Sequence, residues 1–228
     1  MNERTKAIGT RRTRRKMEKL TQAQIVAVGL RLVDEGGLDS LTMRALSDAL
    51  DVQPPVLYRY FSDKRNLVDA MAEAIIGDID LAGLPEDEPL EGLRELVRRL
   101  RQALLRHRDG ARIVGGSYDA KSNTLKTAEV MMRLLIQAGF AKEKAIWTMT
   151  SLFSFALGEA LEQQGLPERL RDALPPFMDA IEGVLAQPTY RHLDAAVLAQ
   201  SFFDFEGRFE FGLTLILNGA KTVCPDCP

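Results

Sequence analysis

Apolar residues recur along this chain at three- and four-residue spacing and show no convincing period-two stretch, so helices are expected throughout. Ile25, Val28, Gly29, Leu32 and Val33 make the first stripe; Thr21 and Gln24 stand ahead of it as a capping box, and Gly36-Gly37 ends it. Leu46, Ala49 and Leu50 mark a second helix with Thr42 as its N-cap. Residues before a proline are pushed out of the α region, so this helix stops ahead of Pro54. Pro54 or Pro55 then opens a short third helix, where a missing N–H costs nothing, and Leu57 and Phe61 return to the same core. Ser62 or Asp63 caps a long fourth helix carrying Leu67, Met71, Ile75 and Ile79 on nearly one face.

Residues 84–89, Leu-Pro-Glu-Asp-Glu-Pro, break the pattern. Beyond them Leu93, Leu96, Val97, Leu100 and Leu104 predict one helix, and further helices are expected over 129–138, 142–164 and 202–217, the first two closed by Gly139 and Gly165. The segment 167–185 is apolar enough to contribute another. The expected fold is all-α: a basic arm at 1–18, a three-helix helix-turn-helix DNA-binding domain at 19–66, a larger helical ligand-binding and dimerisation domain at 67–222, and a flexible tail at 223–228.

Helices two and three, joined by a tight turn, leave Arg44, Pro55, Val56, Tyr58 and Tyr60 facing outward with few acids among them. That is the make-up of a helix-turn-helix whose second helix enters the major groove; an ordinary αα-corner with aromatic core residues fits the periodicity equally well. Arg44 suits a bidentate contact to a guanine edge, and the Val56 methyls suit a thymine methyl. Thr42 and Pro54, at the two helix starts, complete the expected DNA-facing set.

The stretch LTMRALSDALDVQPPVLYRYFSDKRNLVDAM resembles the DNA-binding head of the tetracycline-repressor (TetR) family of bacterial repressors. The resemblance implies that Tyr58, Tyr60 and Lys64 contact phosphates, with backbone N–H groups at the recognition helix N-terminus helping. Asp51 stands where that family commonly carries Gly in the inter-helix turn; aspartate tolerates the left-handed conformation better than most residues.

Charge changes the picture only when placed along the chain. The net charge is −2, yet residues 1–20 carry eight basic side chains against Glu3 and Glu18, so a basic arm precedes an acidic body. The arm is expected to be disordered when free and to contact phosphates or a minor groove; a merely solubilising tail is the alternative. Cys224 and Cys227 form a CPDC near the end, two ligands short of a zinc site, and are expected to be free thiols in a frayed tail. No apolar run approaches the length a bilayer requires, and no signal peptide is visible, so a cytoplasmic protein is expected. His107-Arg108-Asp109-Gly110 looks like a kinase HRD, but no glycine-rich phosphate loop or DFG accompanies it, and Asp109 is expected instead to cap a helix. No nucleophile–base set or metal-ligand cluster appears, so an enzyme is not expected, nor is a cofactor.

Residues 104–112, 135–146, 156–164 and 209–219 are similar to the regulatory domain of the tetracycline repressors. That class dimerises through a four-helix bundle, here implied for the helices over 142–164 and 202–217. Phe153, Leu157 and Leu161 form one stripe for it, with Gly158; Phe205, Phe209, Gly212, Leu213 and Ile216 form the other. Phe202, Phe203 and Phe211 add aromatic surface, and glycines within helices suggest close backbone approach. Following the resemblance, the positions that would hold a magnesium–tetracycline chelate read Asp80, Leu96, Leu100, Val114, Ser117, Met131 and Ser154, without imidazoles or an asparagine; Glu162 matches an acid contributed by the partner subunit. The expected effector site is therefore Leu96, Leu100, Leu104, Val114, Met131, Leu135 and Trp147, near Ile79, with Ser117, Tyr118, Ser154 and Glu162 as polar anchors. A solid core is the alternative.

The implied function is a homodimeric repressor of a palindromic operator in double-stranded DNA, released by a small, largely apolar effector. An architectural, effector-independent DNA-binding protein, or an activator with the same head, is the other reading. Deleting residues 2–16 should weaken binding to all DNA alike and reduce the salt dependence of that binding, measured by anisotropy titrations across a salt series. Full affinity and an unchanged salt slope would remove the arm from DNA binding.

Overall fold

The computed structural model describes residues 20–166 and 181–223, and these contain helices and no strand. The basic arm, the CPDC tail and most of the segment 167–185 lie outside the described residues. Helices α1 (Gln22–Gly36), α2 (Met43–Ala49), α3 (Pro54–Leu57) and α4 (Lys64–Gly77) come first, with a short 3-10 turn at Leu38–Ser40. They are followed by α5 (Pro89–Leu105), α6 (Gly110–Gly115), α7 (Ser122–Gln137), α8 (Lys142–Gly165), α9 (Ala195–Phe202) and α10 (Phe205–Val223).

The starts of the first four helices are set by local chemistry. Thr21 and Gln24 close a reciprocal capping box on α1. Thr42 Oγ1 accepts the Ala45 N–H at 3.0 Å, and Asp63 Oδ1 accepts the Asn66 N–H at 2.9 Å. Between α2 and α3 the chain turns through Asp51 at φ 52°, the one non-glycine in the left-handed region among the described residues. Val52 N–H donates to Ser47 O at 3.0 Å and Asp51 N–H to Asp48 O at 3.2 Å, a Schellman close that satisfies two helix-end carbonyls. Gln53 is extended at ψ 141°, and the prolines begin α3. The α part of α3 is one turn, but Arg59, Tyr60 and Phe61 N–H groups continue its bonding, so the chain winds on to Phe61.

The buried faces differ in part from those expected. Ile25, Gly29 and Val33 are buried on α1, but Val26 and Leu30 share the core, while Val28 and Leu32 are only half-buried. Ala49 is exposed; Ser47 is buried in its place, its hydroxyl donating to Arg44 O at 2.8 Å. Helix α7 begins at Ser122 rather than 129, and the expected final helix is two, parted at Phe203 and Asp204. There the Asp204 side chain caps α10 by accepting the Gly207 N–H at 2.9 Å.

Helix α4 lies between the head and the rest. Its Leu67 and Met71 pack on α1, where a Cβ on Gly29 would sit 3.3 Å from Met71 Sδ. Its other side packs on α6 and α7. Ile75, Ile76 and Ile79 carry its buried surface into the same core as Leu93, Leu96 and Leu100 of α5.

A polar seam fixes α10 against α5. Arg98 donates twice to Glu210, at 2.6 and 2.7 Å, Arg94 reaches Thr214 at 3.0 Å, and the buried Arg101 reaches Glu206 and lies over the Phe209 ring at 4.6 Å. The Arg98 hydrogen bonds hold the Glu210 carboxyl below its ordinary range. A depressed carboxylate stabilises the fold above its unfolded pKa, and that contribution disappears as pH falls through the lower folded value. Glu210→Gln should therefore lower stability at neutral pH and make unfolding less steep in acid below about pH 4. Both components are partly exposed, so the effect is modest; denaturant midpoints from pH 7 to 3 check it, and parallel pH profiles for the two proteins would contradict it.

Candidate DNA-binding surface and effector cavity

The head presents an outer surface built from the ends of α2 and α3. Thr42, Arg44, Pro54, Pro55 and Tyr58 are exposed and Val56 is half-buried, while Leu57 and Phe61 hold the turn from inside. Arg59 is exposed beside them. Tyr60 departs from the expected outward role. It is half-buried, and its hydroxyl donates to Leu20 O at 2.7 Å while Tyr60 O accepts from Gln22 Nε2 at 3.2 Å. Its one donor is thus engaged in fastening the start of α1 to the recognition turn. Lys64 Nζ donates to Leu38 O at 3.2 Å and retains two further donors.

The His107–Gly110 motif joins the head to the remainder. His107 Nδ1 lies 2.9 Å from Asp34 Oδ2, Arg108 N–H donates to Asp34 Oδ1 at 3.0 Å, and Arg112 pairs with Asp39 at 3.0 Å. Asp109 occupies the N-cap position of α6, as expected, but its carboxylate does not cap that helix. It turns to the head and accepts the Leu38 N–H at 2.6 Å.

A cavity of about 290 Å³ opens between α4, α6, α7 and α8. Leu100, Val114, Ser117, Tyr118 and Met131, all expected at the effector site, line it. Ile79, Leu96, Leu104 and Leu135 do not: each is buried in the surrounding core and fills space instead of bounding it. Trp147 is 54% exposed on α8, and Ser154 is exposed on the same helix. Glu162 binds Arg208 at 2.6 Å, away from the cavity in this protomer. Sequence reasoning missed Ala72 and Ile76 of α4, Thr124, Thr127 and Ala128 of α7, Met149 and Thr150 of α8, and Asp119 and Ala120 at the mouth. The available signal was the run of small residues: Ala72, Ala120 and Ala128 leave the volume that larger side chains would fill.

The expected dimer stripes also need correction. Phe209 and Leu213 are buried within the protomer, and a Cβ on Gly212 would stand 2.6 Å from the Phe155 ring, so that glycine admits an intrachain neighbour. Phe153 lines the cavity, and Leu157 packs on Gly115. Phe205 and Ile216 are half-buried. The surface left uncovered on α8 includes a stripe of Trp147, Ser151, Ser154, Gly158 and Leu161, at alternating four- and three-residue spacing. On α10 the exposed large apolar residues are Phe211, 66% exposed, and Leu215.

Comparison with known proteins agrees with this division. Residues 25–71 match the family described as bacterial regulatory proteins, tetR family, and residues 83–224 match the tetracyclin repressor-like C-terminal domain. The chain belongs to the TetR family. It is similar to the class G tetracycline repressor of Vibrio anguillarum, 40% identical over 205 residues that cover 89% of this chain and 94% of that one. A possible TetR-family regulator from Streptomyces coelicolor A3(2) has a similar structure, with 40% identity, a TM-score of 0.77, and coverage of 89% and 100%. The S. coelicolor TetR-family protein ActR, solved with actinorhodin, aligns at 29% identity and a TM-score of 0.79, over 91% and 99% of the two chains. This TetR-family chain is thus a transcription regulator with a helix-turn-helix head, and its larger helical domain holds the cavity. No helix among the described residues is long and apolar enough to cross a membrane.

Arg44→Ala is expected to cost ~1–3 kcal/mol in operator binding and to relax preference at one base pair, as loss of a bidentate base contact does. Binding selections with both proteins check it; an equal loss on every sequence would make Arg44 a phosphate contact.

Proposed function

We propose that this regulator is a homodimeric repressor of a palindromic operator, released by a metal-independent, largely apolar effector that enters the α4–α8 cavity. It acts by binding and not by catalysis. The dimer forms through the uncovered faces of α8 and α10, because Phe211, Leu215 and Trp147 present more apolar surface than a monomer keeps in water, and Ser151, Ser154 and Gly158 allow close helix approach between them. Two-fold symmetry then sets two recognition helices on successive turns of the duplex.

The observation that carries the effector assignment is the composition of the cavity wall. Aliphatic, thioether and phenyl groups from Ile76, Leu100, Val114, Met131, Met149 and Phe153 make most of it, and Ser117, Thr124, Thr127, Thr150 and Asp119 offer scattered polar atoms. No histidine lines it: His107 is committed to Asp34, and His192 is exposed elsewhere. A magnesium chelate needs several convergent oxygen or nitrogen ligands, and here one carboxylate stands at the mouth. A flat aromatic or polycyclic molecule with one or two hydrogen-bonding groups matches the wall. ActR, structurally similar, was solved in complex with actinorhodin, which supports a small-molecule effector here. The class G tetracycline repressor is the more similar in sequence, so tetracycline is the informative comparison compound.

Two outcomes follow. Gly158→Arg, on the uncovered face of α8, should yield monomers that no longer bind operator, as read by sedimentation and anisotropy; a soluble operator-binding dimer would move the interface elsewhere. Calorimetry should show no magnesium-dependent tetracycline binding, while hydrophobic polycyclic compounds bind and release operator. Tight, magnesium-dependent tetracycline binding that frees the DNA would overturn this account of the cavity.

A further inference from the structure

Resting on the cavity as the effector site, the structure assigns a transmission role to two carboxylates of α4 that are not themselves part of the cavity wall. Asp69, Ala72, Glu73 and Ile76 fall at i, i+3, i+4 and i+7 and so share one face of α4. Ala72 and Ile76 line the cavity. Asp69 and Glu73 lie beside them and hold the strap over 117–124, which runs from the end of α6 into the first turn of α7 and lines the cavity.

The hold is specific at both ends. Ser117 Oγ donates to Asp69 Oδ1 at 2.7 Å, and Asp69 is buried. At the far end, α7 has no cap of its own: Lys121 occupies the N-cap position without a side-chain hydrogen bond. Glu73 supplies that cap from another helix. Its Oε1 accepts the Asn123 N–H at 2.5 Å, and its Oε2 accepts the Thr124 N–H at 3.2 Å and the Thr124 hydroxyl at 3.0 Å. Asn123 Nδ2 donates back to Glu73 O at 3.2 Å, and a Cβ on Gly77 would collide with that amide. A carboxylate on two of the free N–H groups in the first turn of a helix is where charge, dipole and unmet donors all favour it.

We propose that Asp69 and Glu73 form a clip through which effector occupancy reaches the DNA-binding head. Ser117 and Thr124 are both clip partners and cavity wall, so a ligand that displaces the strap changes what α4 is bonded to. Helix α4 begins at Lys64, three residues after Phe61 closes the recognition turn, so its displacement moves the recognition helix. The clip residues are positioning residues: they touch the strap and set the linkage between the two sites, and neither is expected to set the affinity for effector or DNA alone.

The test uses the full chain, operator obtained by selection from random DNA, and the neutral fluorophore N-phenylnaphthylamine as the probe. Wild-type protein should bind the probe and lose about tenfold in operator affinity when saturated with it, within the usual range of coupling. Glu73→Ala and Asp69→Asn should bind probe and, separately, operator within about threefold of wild type, while the probe-induced loss shrinks to under about threefold. In Glu73→Ala, hydrogen exchange at Asn123 and Thr124 should also accelerate. Should Glu73→Ala fail to fold, Glu73→Gln keeps the side-chain volume and its coupling factor decides. Variants that bind probe and retain the full wild-type coupling would overturn the clip alone. Probe binding that survives Ala128→Trp, which fills the cavity, would instead remove the cavity as the site, and the clip with it.

Discussion

The proposed regulation depends on α4 being packed on two sides at once. Leu67 and Met71 belong to the core of the head, and Ala72, Ile75 and Ile76 belong to the core and cavity wall of the larger domain. Closely packed interiors transmit displacement because side chains have no slack to absorb it. A helix with one set of contacts in each domain cannot shift in one without disturbing the other. The close approach of α1, permitted by Gly29 against Met71, tightens the coupling on the DNA side.

The second link between the domains is polar and exposed at its edges. His107, Arg108, Asp109 and Arg112 meet Asp34, the Leu38 N–H and Asp39 across the junction. These contacts set the angle at which the head sits, and they involve backbone groups of the head as well as side chains. Hydrogen bonds of this type contribute little net energy each but are strongly directional, so they define one orientation more than they stabilise it. Head position is thus held by an apolar hinge along α4 and a polar stop beside it.

The head was legible in the sequence because its signals are local. Capping by Thr21, Thr42 and Asp63, the prolines after Gln53, and the left-handed Asp51 each act within a few residues. The cavity was only half legible. Helical periodicity says which residues turn inward, but Leu96 and Leu100 are both inward, and whether a wall or a filled core results depends on the partners across the space. Part of the α10 dimer stripe is covered for the same reason: Phe209 and Leu213 are apolar at the right spacing, yet the seam from Arg94, Arg98 and Arg101 to α10 turns that face into the protomer. Tyr60 shows the limit from the other side. An aromatic next to a DNA-facing turn reads as a contact until its hydroxyl is found on Leu20 O.

The central claim is mechanical: filling the cavity moves the recognition helices through α4. The most direct measurement is the distance between spin labels on the two copies of residue 59 in the dimer, with Cys224 and Cys227 replaced by serine. Adding N-phenylnaphthylamine should shift the whole distance distribution while the dimer stays intact. A distribution unchanged with the cavity occupied would contradict the claim.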